Sequence, residues 1–339
     1  MRSLSNYIVE SITSNKIVDV YMDNLDLLSS IRKQHFLSRL ALCDLEESKN
    51  LSISTNIDDI VKTINDVLDY LKEKDYDKII NKYVVIPYKG ISKEKDKIYD
   101  WLKDLDSQQA KRYFALGFLF DRLDIIERTD NVDKIDRWDD IYNICDDLDD
   151  MIKFHNEDPM DCKNMNGTLY VNFIGNAYYV TNSNKLNFKK KVDIVDWRKT
   201  RKLFTSMQDY NTISLYGVTH SIINGSRFYI APLDIEEFKE ELNYLDSFLK
   251  EMYKNQYKLN DELTIDLLCE CALCERLANS NKYKEWKHVL EHMDTLIDNE
   301  THIIQSNSRY KDDKKKNLEN NEHCNVLYIL LNSYKIPKK

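Results

Sequence analysis

Apolar residues recur along this chain at intervals of three and four, the period of helices that bury one face. The clearest case is Ile57, Ile60, Val61, Ile64, Val67, Leu68 and Leu71, a single stripe that opens with Thr55 and Asp58 as a capping pair. The same period runs through Ile8, Ile12, Val20, Leu27 and Leu28 and predicts helices over 93–105, 108–127, 134–154, 193–208, 212–223, 234–255, 261–279, 282–298 and 322–334. Asp234 and Glu237, just after Pro232, mark one of the starts.

Two segments break the rhythm. Residues 83–87, YVVIP, form a short β-like run closed by proline. In 168–181, TLYVNFIGNAYYVT, Leu169, Val171 and Phe173 alternate, Gly175–Asn176 reads as a turn, and Tyr178 and Val180 alternate after it, which predicts a β-hairpin. Asn, Asp, Pro and Cys crowd 156–166, and 306–321 is polar, so both read as loops. The expected fold is therefore mainly α: helical hairpins packed side by side in an α/α array, closing toward a toroid, with one small β-hairpin insertion. The division that follows is an N-terminal helical domain over 1–160, a β-hairpin and basic linker over 161–192, and a C-terminal helical-hairpin domain over 193–339.

Composition narrows the function. Among 339 residues, 42% hydrophobic supports a substantial core, while only 6 Gly and 4 Pro suit long helices joined by short connections. Neither G-x-G-x-x-G nor G-x-x-x-x-G-K occurs, which removes the glycine-rich phosphate loops. A net charge of −9 opposes a nucleic-acid partner. Without a run of 18 apolar residues no membrane span is expected, and the start, MRSLSNYIVESITSNK, lacks the apolar core of a secretory leader. Seven scattered cysteines then read as reduced thiols in a cytoplasm. The Asn, Lys, Ile and Asp bias is that of an AT-rich, bacterial genome.

The most suggestive motif is CECALCER, Cys269–Arg276, followed by HVLEH: Cys271 and Cys274 with His288 and His292 have zinc-finger spacing. Helical phase argues against it. Cys271 and Cys274 fall in the stripe Leu263, Leu267, Leu277 and Ala278, whereas the histidines sit roughly 110–150° from the stripe Trp286, Val289, Leu290, Met293 and Ile297. The expectation is buried Cys271 and Cys274, histidines turned away, and Cys269 facing solvent.

Three further candidates remain. DDLDD, with Asp146, Asp147 and Asp150, resembles the aspartate-rich motif of class I terpene and prenyl-diphosphate synthases, which implies Mg²⁺ held on carboxylates to ionise a diphosphate. The family's second motif is incomplete: Asn260, Asp261 and Thr264 match, but Leu268 stands in place of Glu, and only Arg309–Tyr310 echoes its late pair. The same aspartates lie opposite an apolar face of Trp138, Ile141, Tyr142, Cys145, Leu148 and Ile152, as a solvated helix would have them. The basic stretch Lys189–Lys202 reads as a solvent face that suits an acidic partner, including the Asp-rich 130–150 segment. Finally, His220 and Cys324 each sit at the edge of an apolar helix and would make a nucleophile–base dyad if they met.

The segments YGVTH, TIDLLCECALCERL and EHCNVLYILLNSY together resemble the C-terminal half of an uncharacterised bacterial all-helical family, over residues 210–335. The resemblance implies helical hairpins and carries no activity. The expected function is a protein- or peptide-binding module without a cofactor; the alternative is a Mg²⁺-dependent diphosphate enzyme using Asp146, Asp147 and Asp150.

Overall fold

The structure, a computed structural model, describes residues 16–45, 57–85, 108–144, 148–157, 167–207, 209–258, 263–306 and 310–337. It is mainly helical. In chain order the helices are α1 (16–22), α2 (Ser30–Leu40), α3 (Ile57–Glu73), α4 (Tyr76–Ile79), α5 (Gln108–Arg128), α6 (Trp138–Ile144), α7 (Leu148–Glu157), α8 (Gly167–Asn182), α9 (Ile194–Thr205), α10 (Thr212–Gly225), α11 (Lys239–Lys254), α12 (Ile265–Leu277), α13 (Trp286–Asp294) and α14 (Lys314–Ser333). The described residues contain two isolated β-bridges and no strand. They cluster into two compact units: Met1–Thr55 with Asp209–Lys339, and Asn56–Gln208. The borders differ from those at 160 and 192 because the division follows packing partners, and α2 packs on the last helix.

The first unit is built around α12, which packs against α10, α11, α13 and α14. Its sequence explains the position. IDLLCECALCERL is apolar on nearly every side, and a helix of that kind belongs in a core. Residues Leu267–Glu275 are all buried, and Thr264 Oγ1 caps the start by accepting from Leu267 N (3.2 Å). Cys271 and Cys274 are buried, and so is Cys269: with four helices packed around α12 no face of Leu267–Glu275 meets solvent, which corrects the expectation for that thiol.

The last helix, α14, lies between α12 and α2. It begins at Lys314, within the stretch that reads as a loop. The polarity of that stretch misleads because its asparagines face inward: Asn317, Asn321 and Asn325 are buried one turn apart, and Asn325 brackets the backbone of Ile304, accepting from its N–H (2.9 Å) and donating to its C=O (3.0 Å). At the far end Asp44 N donates to Ser333 O (2.8 Å) and Lys335 N to Leu42 O (3.0 Å), fastening the segment after α2 to the end of α14. Phe36 and Leu40 bury α2's inner face, and Glu319 Oε1 accepts from Ser29 N (2.6 Å) at its start.

The second unit centres on α5 packed along α8. Residues 168–181 are therefore helix, not a β-hairpin. A run apolar at nearly every position fits a strand or a fully buried helix equally well, and tertiary burial decides. Val171, Ile174, Ala177, Val180 and Thr181 are all buried, and Asn176, read as half of a turn, donates to Asp121 Oδ1 on α5 (3.0 Å). The two helices approach closely where α5 has Gly117, since a Cβ there would run into the Phe173 ring. Tyr83–Val85, read as β-like, belong to a π-helical turn over Ile80–Val85; Ile86 and Pro87 lie outside the described residues. On α9, Trp197 stacks on Tyr178 with ring centroids 5.0 Å apart. Arg201, read as part of a solvent face, is buried with its guanidinium over Trp197 (4.7 Å), while Lys190 pairs with Asp149 (3.3 Å) and Lys185 with Asp130 (2.9 Å). No helix among the described residues is long and apolar enough to cross a membrane.

Candidate functional site: a histidine-lined cleft

Four helices of the first unit direct ionisable side chains to one place. α2 presents Arg32, His35 and Arg39 along one face, at spacings of three and four. α14 brings Glu322, His323 and Cys324, α12 brings Asp266 and Glu270, and α10 brings Thr219 and His220. Glu322 is the floor. Its side chain has no solvent exposure, and it takes Arg32 Nη1 at 3.1 Å and His35 Nδ1 at 2.8 Å on separate oxygens. Asp266 Oδ2 holds His323 Nδ1 at 2.9 Å. Glu270 Oε1 accepts from Thr219 Oγ1 (2.5 Å) and lies 3.7 Å from His220 Nε2. Each histidine therefore rests on its own carboxylate. The rings of His35 and His323 are 5.3 Å apart, tilted by 34°.

These side chains are sunk into the fold yet wet. His35, His323 and His220 are 26%, 28% and 22% exposed, above a fully buried Glu322. That combination describes a cleft in which a small solute reaches the rings and Asp266, while Glu322 and Glu270 beneath stay dry.

The surroundings drive the histidines apart. Burial lowers His35 to about 4; the Glu322 charge and hydrogen bond oppose that fall, and Arg39 and His323 add to it. Burial also pulls on His323, but the charge and hydrogen bond of Asp266, with Glu270 and Glu322, hold it above the ordinary histidine value. Burial brings His220 down, with Glu270 resisting and His323 and Arg39 assisting. Glu322 stays below its ordinary value because His35, Arg32 and His323 outweigh its burial. An ionised carboxylate only accepts, so His35 Nδ1 carries the proton and Nε2 is left with a bare lone pair. His323 keeps its proton to higher pH than an ordinary histidine, and in that form its Nε2–H can donate. Neighbouring groups of one type with opposed protonation are the usual sign of an acid and a base.

Beside the cleft, Arg227, Phe228 and Tyr229 all take left-handed backbone (φ 50°, 54° and 74°), a conformation that disfavours side chains. Tyr229 N donates to Ser226 Oγ (3.1 Å), and the Tyr334 hydroxyl donates to the Tyr229 carbonyl, so the turn is held in place. It puts the buried Tyr229 ring under Arg39, whose guanidinium carbon is 5.1 Å from the centroid.

The sequence candidates fare unevenly. His220 belongs to the cleft, paired with Glu270. Cys324 is beside it, but burial and Asp266, its hydrogen-bond partner, push its thiol well above the ordinary value, which opposes a nucleophilic thiolate. Cys271 and Cys274 lie in the core, while His288 and His292 stack on Tyr253 (4.4 Å) and Tyr257 (4.3 Å). Among the described residues no group of three or more His, Cys, Asp or Glu is arranged to hold a metal ion. Asp146 and Asp147 lie outside the described residues; Asp150, on α7, is exposed. A cavity of about 280 Å³ in the second unit has Leu68, Leu71 and Ile144 as its apolar lining and Arg137, already bonded to Asp69 and Asp140, at its edge.

His35, Arg32, Asp266, Glu270 and Glu322 escape a reading by motif because they come from segments up to 290 residues apart. One signal was present. Glu270 stands inside an otherwise apolar helix, and a charge at such a position needs a buried partner. Compared with known proteins, the chain matches no family model, no curated protein and no solved structure.

Proposed function

We propose that the first unit is an acid–base enzyme acting on a small polar molecule, with His35 Nε2 as the base and His323 Nε2–H as the acid. The observation that carries this reading is the pairing of two solvent-reachable imidazoles, 5.3 Å between centroids, on separate carboxylates. A substrate that reaches the Nε2 atoms of both rings gives a proton to one and receives a proton from the other at a second atom, the bookkeeping of an isomerisation or a β-elimination. Glu322 and Asp266 are positioning residues: each fixes a tautomer and a ring orientation.

Solvent exchange tests this without a known substrate. In D2O the protein should incorporate deuterium into one component of a small-molecule mixture, and His35→Asn and His323→Asn should each abolish incorporation. The rate should rise as pH passes about 4, where His35 sheds its proton, and fall above 6.5, where His323 loses its own. Unchanged incorporation in both variants would remove the assignment.

A further inference from the structure

One cation of the cleft makes no direct ion pair with a described residue, although the Glu270 carboxylate acts on the same His220 and Tyr229 that it does. Arg32 meets Glu322, and His323 meets Asp266. Arg39 is partly exposed on the same face of α2, and its guanidinium makes no hydrogen bond or ion pair with any described residue. The guanidinium lies over the Tyr229 ring. Stacking covers a face of the guanidinium and leaves the N–H edges open, the fork that matches an oxyanion. The surrounding imidazoles feel this charge: Arg39 acts on His35, which also faces Glu322 and His323, and on His220, which also faces Glu270 and His323. The strained turn at 227–229 gives the stack a fixed platform, so Arg39 is held in place without a partner.

We propose that Arg39 anchors an oxyanion, and that the small molecule received by this cleft carries a carboxylate or a phosphate group set beside the His35–His323 pair. As a statement about substrate, this rests on the acid–base reading; as a statement about binding, it stands alone. An anion on Arg39 removes the positive field from His35 and His220, so both rings report its arrival.

The test is a histidine C2–H NMR titration of the full chain at pH 7 with inorganic phosphate, with acetate, and with sodium chloride at matched ionic strength. The resonances of His35 and His220 should move saturably with phosphate or acetate and not with chloride, while exposed His302 serves as the reference. Arg39→Gln should abolish the response, and Arg39→Lys should keep a weakened one, since it retains charge without the fork. Response to phosphate alone marks a phosphate ester; response to acetate alone marks a carboxylate. Rings that move no further than in chloride, or an Arg39→Gln protein that responds like the parent, would overturn the anchor. If Arg39→Gln does not fold, the parent's titration decides the matter. Anion binding that persists while deuterium incorporation ignores His35 and His323 would keep the anchor and sink the acid–base chemistry.

Discussion

Single side chains in this protein are set by what lies beneath them. Glu275 is the plainest case outside the cleft. It is fully buried on α12, one oxygen accepts from Trp286 N at the start of α13 (2.8 Å), and the other has no hydrogen-bonding partner unless a proton is present. Asp246 on α11, with one oxygen on Lys250 (2.6 Å) and the other equally unmet, faces it. Burial first, then Asp246 and Glu285, push Glu275 up to about 8, so one proton bridges the pair at neutral pH. Folded Glu275 keeps this proton up to about pH 8, and the unfolded chain releases it near 4.5. Between those values the unfolded state binds fewer protons, so stability falls as pH rises, by an amount on the order of 3 kcal/mol. Glu275→Gln supplies a permanent donor, and its melting temperature should lose most of that decline between pH 5 and pH 8. A slope equal to the parent's would show that no proton is shared.

At the scale of elements, legibility depended on how many faces a helix buries. α3, with one apolar stripe, could be read directly: its core positions Ile60, Ile64, Val67, Leu68 and Leu71 are buried, while Thr55, read as its cap, lies outside the described residues. α8 and α14 resisted because each departs from that pattern. α8 is apolar nearly all round and passed for a hairpin; α14 turns asparagines inward and passed in part for a loop. The cleft was half legible for the same reason. His220 and Cys324 stood out at the edges of apolar stripes, while His35 and Arg32 are ordinary surface types whose partners lie at the other end of the chain. The α5–α8 crossing tests the packing. Gly117→Ala places a methyl in the Phe173 ring and should cost about 1–3 kcal/mol, read as a lower denaturation midpoint. Phe173→Ala should cost less in the Gly117→Ala background than alone, because it removes Cγ and Cδ2, the atoms the added methyl meets first.

For the molecule as a whole, the residues of the first unit flank those of the second in sequence. α2 supplies buried Phe36 and Leu40 together with Arg32, His35 and Arg39 of the cleft, so residues 209–339 alone lack part of their core. Expressed by itself, that fragment should give a poorly cooperative melt by circular dichroism. Addition of a peptide spanning 16–45 should restore a single transition, as the missing helix returns apolar surface to its site. A fragment that melts cooperatively without the peptide would make α2 dispensable to the fold.

The contact between Arg32 and Glu322 joins positions 290 residues apart. During synthesis, α2 leaves the ribosome long before its partners exist, and the whole second unit is translated in the interval. Until residue 323 has been made, His35 lacks both its carboxylate and its companion imidazole. The closure entropy of so long a loop must be met in one late step. On the acid–base reading proposed above, the pair exists only once α14 has been made: a chain truncated before α14 would carry two of the three histidines and no paired acid and base.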